Sequence, residues 1–295
     1  MPPRSRERPR LTVQSIGPYT FAVPEATRFR RRPESAVQWL HQVLLQVLIK
    51  IPVLTVSLTA WTLVCWTTRL IHPPSYRRFL GFVLPSIFQK LDHILQNPRQ
   101  LLLQHVRGRV LDVGAGSGMY LRRLVCKAAV THVVALEPLE TLRRQLPQVV
   151  ESTPDSVLHP FQITVSGKSL EAYAAQHHAA SPAPPLFHWI ILGNVLCEVP
   201  DVTAALVAAN SLLAPGGFVF FSEHVASPVG TCKRRLQATV HPWWASISGG
   251  CHCHRDSLHA IEGMAEWEVC SWEFADLQVV CGPMVLGIAR KVAAA

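Results

Sequence analysis

The sequence predicts an α/β protein. A mostly parallel sheet is covered by helices, a terminal antiparallel hairpin closes its edge, and a hydrophobic membrane-anchor segment precedes it. Three observations predict this. From Arg109 onward, apolar β-branched runs alternate with helix-length segments, the pattern of strands buried on both faces of a parallel sheet. The last two apolar runs follow each other with only a short break, which suits a hairpin and not another crossover. Third, Ile51 to Trp66 is 16 residues long and carries no charge.

The elements follow in order. Residues 1–34 are rich in Pro and Arg and show no periodicity, so they are expected to form a disordered basic tail. Eight arginines (4, 6, 8, 10, 28, 30, 31, 32) precede residue 33, against Glu7 and Glu25, within a chain of net charge +9. Such a tail can face an anionic membrane or serve as a targeting segment. Residues 35–70 form the predicted anchor. Extended back to Val43, the apolar stretch reaches about 24 residues interrupted by Gln46 and Lys50, against about 20 needed to cross a bilayer. Pro52 beside Lys50, and basic residues on both flanks (Arg30 to Arg32, then Arg69, Arg77 and Arg78), suit a kinked or monotopic anchor. A long buried helix is the soluble alternative. Residues 71–104 read as a helical connector, and residues 105–295 as the α/β domain.

Composition agrees. Hydrophobic residues make up 49% and charged residues 16%, with a mean hydropathy of +0.21. The first 30 residues lack an apolar core of the signal-peptide kind, so no cleavable secretory signal is expected. The eight cysteines are scattered, as reduced thiols of a cytosol-facing or matrix protein would be.

"RVLDVG", "THVVALEP", "PFQITVSG", "HWIILGNV" and "GFVFFSEHV" are the predicted parallel strands, and "WEVCSWEFADL" with "VCGPMVLGIARK" the hairpin. The first strand runs into "VGAGSG". Gly114, Gly116 and Gly118 permit a tight strand-to-helix turn and close approach of backbone amides to a ligand. Glu137 stands 19 residues after Gly118, at the end of the second strand, where a carboxylate can accept both hydroxyls of a ribose. No lysine follows the loop, which argues against a phosphate-binding P-loop. Taken singly, the glycines can be ordinary turn formers and Glu137 a solvated carboxylate at a helix start.

"VLDVGAGSG", "VVALEP", "HWIILGNVLCEVPD" and "LLAPGGFVFFSEHV", in that order, resemble the successive motifs of class I S-adenosylmethionine-dependent methyltransferases. "LCEV", "SEHV" and "HPWWASISGGCHCHRD" resemble more closely the methyltransferase-like 7 group of thiol methyltransferases. The resemblance implies a Rossmann-like class I methyltransferase sheet, S-adenosylmethionine as cofactor and a membrane anchor. It places Asp112, Gly114, Ala115, Gly116 and Gly118 beside the methionine portion of the cofactor. Glu137 and Pro138 would lie at the ribose, Gly167, Lys168 and Ser169 at the adenine, and Asn194, Val195 and Leu196 at the sulfonium. The chain departs from the family pattern at His188, where an Asp commonly begins the fourth strand, and at Lys168, where an acidic or amide residue is common.

Methyl transfer is a displacement at an activated carbon, so the enzyme mainly aligns the acceptor and excludes water. Glu223 and His224, at the end of the fifth strand, and Cys251 are the candidate catalytic residues. The segment 226–262 is expected to cap the acceptor. The expected acceptor is small and lipophilic, a thiol before a lipid or quinone. A non-catalytic binding or assembly factor on the same fold is the alternative class. A nucleic-acid partner is not expected, because the catalytic half shows neither a basic groove nor a motif for a flipped base. The expected location is the endoplasmic reticulum or lipid-droplet membrane facing the cytosol, with mitochondria as the alternative. In "GGCHCHRD", consecutive residues point in alternating directions, so Cys251, His252, Cys253 and His254 cannot all close around one ion. No metal ligands are assigned.

Overall fold

The computed structural model describes residues 11–16, 19–24, 56, 59–64, 66–67, 103–152, 162–181, 186–275 and 283–292. The chain divides into two compact units, Met1–Arg32 and Pro33–Ala295.

In the first unit, strands β1 (Leu11–Ile16) and β2 (Tyr19–Pro24) pair antiparallel, Leu11 with Pro24 and Ile16 with Tyr19. This replaces the unstructured tail expected there. Thr, Val, Ile, Tyr and Phe dominate both strands, and their preference for extended backbone wins locally over the Pro and Arg on either side. Of the predicted anchor, only residues 56, 59–64 and 66–67 are described, and they are helical. Among the described residues, no helix is long and apolar enough to cross a membrane. The remainder of the anchor and nearly all of the 71–104 connector lie outside the described residues.

The second unit is built on a seven-stranded sheet. Its strands are β3 (Gly108–Val113), β4 (Val130–Leu136), β5 (Gln162–Ser166), β6 (Phe187–Gly193), β7 (Leu213–His224), β8 (Trp267–Ala275) and β9 (Met284–Lys291). They are ordered β5-β4-β3-β6-β7-β9-β8. The first five run parallel, and β9 inserts antiparallel between β7 and β8. The hairpin therefore docks through its second strand and leaves β8 at the edge. The central strands are buried on both faces and almost wholly apolar: Val110, Leu111, Val113 and Trp189 to Leu192 are buried, with Asp112 the polar exception.

The helices are short except three. α1 (Leu121–Leu124), α2 (Glu140–Arg143) and α3 (Leu146–Glu151) follow the first two strands. α4 (Leu170–Ala179) begins at Ser169, whose Oγ accepts from Ala172 N at 3.2 Å. α5 (Val202–Leu212) begins at Asp201, which accepts from Ala204 N at 3.1 Å. Each cap satisfies a backbone donor that the helix itself leaves unpaired. α6 (Cys232–Ile247) and α7 (Ser257–Glu262) fill the segment between β7 and β8.

The order of the first five sheet strands reverses between β3 and β6. A reversal of this kind opens a crevice at the carboxyl ends of the strands, where ligands bind in such sheets. His188, one of the two departures from the family pattern, lies at the opposite edge. Its Nδ1 accepts from Arg109 N at 3.1 Å, at the start of β3.

Candidate active site

β3 ends in a loop that only glycine can form. Gly114 and Gly116 hold φ of 61° and 57°, a left-handed conformation costly for residues with a Cβ. A Cβ on Gly114 would also lie 2.8 Å from Val195 Cγ2, so the turn after β6 packs directly on this glycine. Glu137 fixes the loop from the side. Its Oε2 accepts from Gly116 N and its Oε1 from Leu139 N, both at 2.8 Å. Each oxygen keeps a lone pair for further donors. Burial raises the Glu137 pKa, and the two amide donors oppose that rise.

The loop walls a cavity of about 680 Å³ at the carboxyl edge of the sheet. Nine predicted residues line it: Gly114, Ala115, Gly116, Glu137, Pro138, Lys168, Ser169, Asn194 and Val195. The other four predicted cofactor residues stand outside its lining. Gly118 lets α3 approach, since a Cβ there would meet Val149 Cγ2 at 2.9 Å. Gly167 lies against Arg143, whose guanidinium a Cβ would meet at 2.6 Å. Leu196 is fully buried, and its carbonyl accepts from Arg255 Nη1 at 2.8 Å. Asp112 is fully buried, with both carboxylate oxygens lacking a partner. Burial, reinforced by nearby Glu137, pushes its carboxyl up to about 8. Sequence reasoning missed Met119, Tyr120, Leu139, Glu198 and Val199, which are also among the lining residues. They lie one to five residues from motif positions, and only the folded turns bring them to the wall.

Asn194 opens the turn after β6 with a φ of 59°, alone among the described non-glycine residues in being left-handed. Its Oδ1 is buried without a partner. Glu223 Oε1 accepts from Val195 N at 2.9 Å and so pins this turn, while its Oε2 stays buried and unpartnered. Burial pushes Glu223 up to about 7 against the pull of backbone amides and His224. The candidate catalytic carboxylate is thus also a brace for the cavity wall.

The structure brings together His224 and Cys251, both candidates from the sequence, with a third partner that the sequence reading did not select. Cys251 Sγ lies 3.7 Å and Cys197 Sγ 3.9 Å from His224 Nδ1. The hydrogen bond with Cys197 holds the Cys251 thiol well below the ordinary thiol range despite burial, and His224 adds to that effect. The same contact, with burial, raises Cys197. Burial disfavours the His224 cation, yet the neighbouring Cys251 more than offsets this and raises it. "CHCH" divides as its alternation predicts. Cys251 faces Cys197 and His224. Cys253 is buried in the same apolar cluster beside Trp244. His252 and His254 lie against His241, with ring centroids 4.6 and 4.0 Å away.

The cap is tied to the cavity by backbone and side-chain bonds. His252 N donates to Cys197 O at 2.7 Å. Buried Gln237 accepts from Ser227 N at 2.7 Å and donates to Cys253 O at 3.0 Å. Arg255 also donates to Val199 O. Ala245, Gly249 and Gly250 of the cap then close one side of the cavity.

A parallel sheet ending in an antiparallel hairpin, a glycine loop latched by an acidic residue on the next strand, and a capped cavity at the switch point define an S-adenosylmethionine-dependent methyltransferase. The methyltransferase-domain family matches residues 87–267, and the chain belongs to that family. Rat thiol S-methyltransferase TMT1B is 37% identical over 106 residues, which are 35% of this chain and 43% of the rat protein. That match spans less than half the length of the relative. Human thiol S-methyltransferase TMT1B is 22% identical over 266 residues, 84% of this chain and 98% of the human protein. Among solved structures, an O-methyltransferase family protein from Burkholderia thailandensis shares the fold at a TM-score of 0.55 and 13% identity. The match covers 78% of this chain and 63% of that one.

The residues present fit S-adenosylmethionine. The cavity volume lies within the range of small-molecule sites. The partnerless Oδ1 of Asn194 is a buried acceptor in the cavity wall, and a buried polar group of this kind needs a donor. The remaining lone pairs of Glu137 would be open to ribose hydroxyls. When bound, the cofactor supplies a methyl group on positively charged sulfur.

Proposed function

We propose that this chain is a membrane-associated methyltransferase that transfers the methyl group of S-adenosylmethionine to small lipophilic thiols. The observation that carries the reading is the continuity of one cavity from Glu137 to Gly249 and Gly250, which brings a cofactor-binding wall against a cap whose next residue is Cys251. The relatives' activity on thiols supports the choice of acceptor. Asn194, Val195 and the cap align the acceptor, and burial of the cap residues excludes water. The thiol loses its proton to solvent, its sulfur lone pair forms the new S–CH3 bond, and the donor's C–S bond breaks with its electron pair staying on S-adenosylhomocysteine. Glu223, His224 and Cys251 stand behind the acceptor end of the wall, outside the cavity lining, and Asp112, Gly118, Gly167 and Leu196 hold the cofactor wall from behind.

Membrane association, at the endoplasmic reticulum or lipid droplets facing the cytosol, is supported by the apolar segment and its placement. Val56 and Leu63 are 70% and 63% exposed, an apolar surface suited to lipid. The segment also bonds to the cap helix: Trp243 Nε1 donates to Thr62 Oγ1 and Trp66 Nε1 to Ser246 Oγ, both at 2.9 Å. A lipophilic acceptor arriving from a membrane would meet the cap first. Mitochondrial targeting by the arginine-rich start is the alternative. Imaging of tagged chain with and without residues 1–34 separates the two, and mitochondrial signal lost on deletion selects the alternative.

Detergent-solubilised chain with methyl-labelled cofactor, offered thiols, phenols and lipids, tests the reaction. Label is expected on alkyl and aryl thiols. Labelled phenols or lipids with unlabelled thiols would replace the thiol by an oxygen or lipid acceptor. Cofactor binding with no labelled product from any panel member would favour a non-catalytic binding factor.

A further inference from the structure

Cys197, His224 and Cys251 come from three separate places: the turn after β6, the end of β7 and the cap. Each successive pair is 27 residues apart in sequence. Their Sγ, Nδ1 and Sγ atoms all lie within 4.8 Å of one another, with both sulfur–nitrogen distances at 3.7–3.9 Å. Zinc binds thiolate sulfur at about 2.3 Å and imidazole nitrogen at about 2.0–2.1 Å in a tetrahedron, which sets neighbouring ligand atoms roughly 3.5–3.8 Å apart. Both sulfur–nitrogen distances come close to that spacing, and the two sulfurs lie within 4.8 Å of each other, so small side-chain adjustments bring all three atoms onto one ion. Two sulfurs and one imidazole are a donor set for a thiophilic ion and not for magnesium or calcium.

The surroundings hold the three in place. The His252 N to Cys197 O bond sets the two cysteine-bearing segments side by side at 2.7 Å, and Arg255 grips Leu196 O at 2.8 Å. Trp244 packs over the sulfur cluster, which keeps it dry. Three protein ligands leave one tetrahedral position open, the arrangement of catalytic and not structural zinc. The residues flanking the cluster, Asn194, Val195, Glu198 and Gly250, line the methyl-donor cavity, so the cluster borders the place where an acceptor must sit.

We propose that Cys197, His224 and Cys251 bind a zinc ion whose open fourth position takes the acceptor thiol as a thiolate. The metal half stands on the geometry alone, and the acceptor half rests on the thiol reading above. Loading the metal releases one proton from each cysteine, so that two thiolates neutralise the ion. The incoming R–SH then gives its proton to solvent, and its sulfur keeps the electron pair that forms the S–CH3 bond as the donor's C–S bond breaks. The thioether product is uncharged, a weaker ligand than a thiolate, and leaves. Zinc is unchanged throughout.

The test uses the full chain purified in detergent without chelator. Elemental analysis is expected to find about one zinc per chain, falling at least tenfold in Cys197→Ser and Cys251→Ser. Cys253→Ser, a buried neighbour that is not a ligand, should keep its zinc, and all three variants should bind S-adenosylmethionine within about twofold of the parent. Cobalt exchanged into the site should show thiolate-to-cobalt absorption that changes when a small alkyl thiol is added and not when the matching alcohol is added. A chain that methylates thiols with no bound metal and no cobalt spectrum overturns the proposal. Stoichiometric zinc with a spectrum indifferent to thiol overturns the open position. If thiols are also not methylated while phenols are, the thiol reading itself has failed and the metal assignment has not.

Discussion

The two ends of the cavity are built in different ways. The cofactor end is a local device. Asp112 to Gly118 is one continuous run, and its partner Glu137 comes from the next strand in both sequence and sheet. Its selectivity lies largely in backbone: left-handed glycines, amides and one carboxylate that latches them. The acceptor end is a convergence. Just behind its lining, Cys197, His224 and Cys251 meet from three segments, and Glu223, Gln237 and Arg255 brace the surroundings from three more points. A backbone device tolerates wide sequence variation around fixed glycines. A side-chain convergence fails or changes specificity with single substitutions.

Substitutions that act on one end only sharpen that contrast. The largest effect is expected from Glu137→Ala, which removes the acceptor for two backbone amides and for the cofactor ribose together. Losing hydrogen bonds to a charged group costs about 1.5–3 kcal/mol each, so S-adenosylmethionine affinity should fall about 100-fold or more by calorimetry. Affinity unchanged within twofold would remove the ribose assignment.

Asp112→Asn comes next and should act on stability. The Asp112 carboxyl titrates in the fold at about 8, above its unfolded value near 3.9. Its favourable contribution is therefore fully present below that unfolded value and is lost as pH rises towards 8. Without cofactor, the variant should match the parent at pH 4 and be more stable at pH 7, by on the order of 4 kcal/mol. Parallel melting profiles from pH 4 to 8 would count against it.

Gly114→Ala forces a Cβ into the left-handed region and against Val195 Cγ2 at 2.8 Å. Strain of about 1–3 kcal/mol should weaken cofactor binding about tenfold and lower Tm by several degrees. The smallest effect belongs to the acceptor end: Arg255→Ala frees the carbonyls of Leu196 and Val199. Acceptor KM is expected to rise about fivefold, roughly 1 kcal/mol, with cofactor affinity unchanged. A change in cofactor affinity equal to the change in KM would show that the two ends are not separable.

The same contrast explains what could be read from sequence. All seven sheet strands coincide with the apolar runs, and the antiparallel end of the sheet follows from the short break between the last two. The docking of β9 inside β8 does not, because hairpin connectivity alone leaves open which strand meets β7. The glycine loop and Glu137 are legible because their spacing is local. Gly118, Gly167 and Leu196 sit at motif positions yet serve packing: only the folded positions of Val149, Arg143 and Arg255 decide that. Cys197 lay in the open within "LCEV", but nothing in the linear chain joins it to residues 27 and 54 positions later, as successive separations of 27 require. The β1–β2 hairpin was obscured for another reason: its short alternating runs are embedded in a stretch whose average is dominated by Arg and Pro.

The insertion of β9 between β7 and β8 bears on the order in which the molecule can be completed. β7 carries Glu223 and His224 at its end, and one of its two flanks is closed only by β9, the last strand of the sheet to leave the ribosome. Until then β7 presents an unpaired edge of very apolar sequence, Phe218 to Phe221, open to pairing with another chain. The long-range closure that finishes it is of the slow, aggregation-exposed kind. The nascent chain is thus most vulnerable at the strand that braces the cavity wall through Glu223, and holding the growing polypeptide against a membrane or a chaperone through that interval would protect that strand before the site is complete.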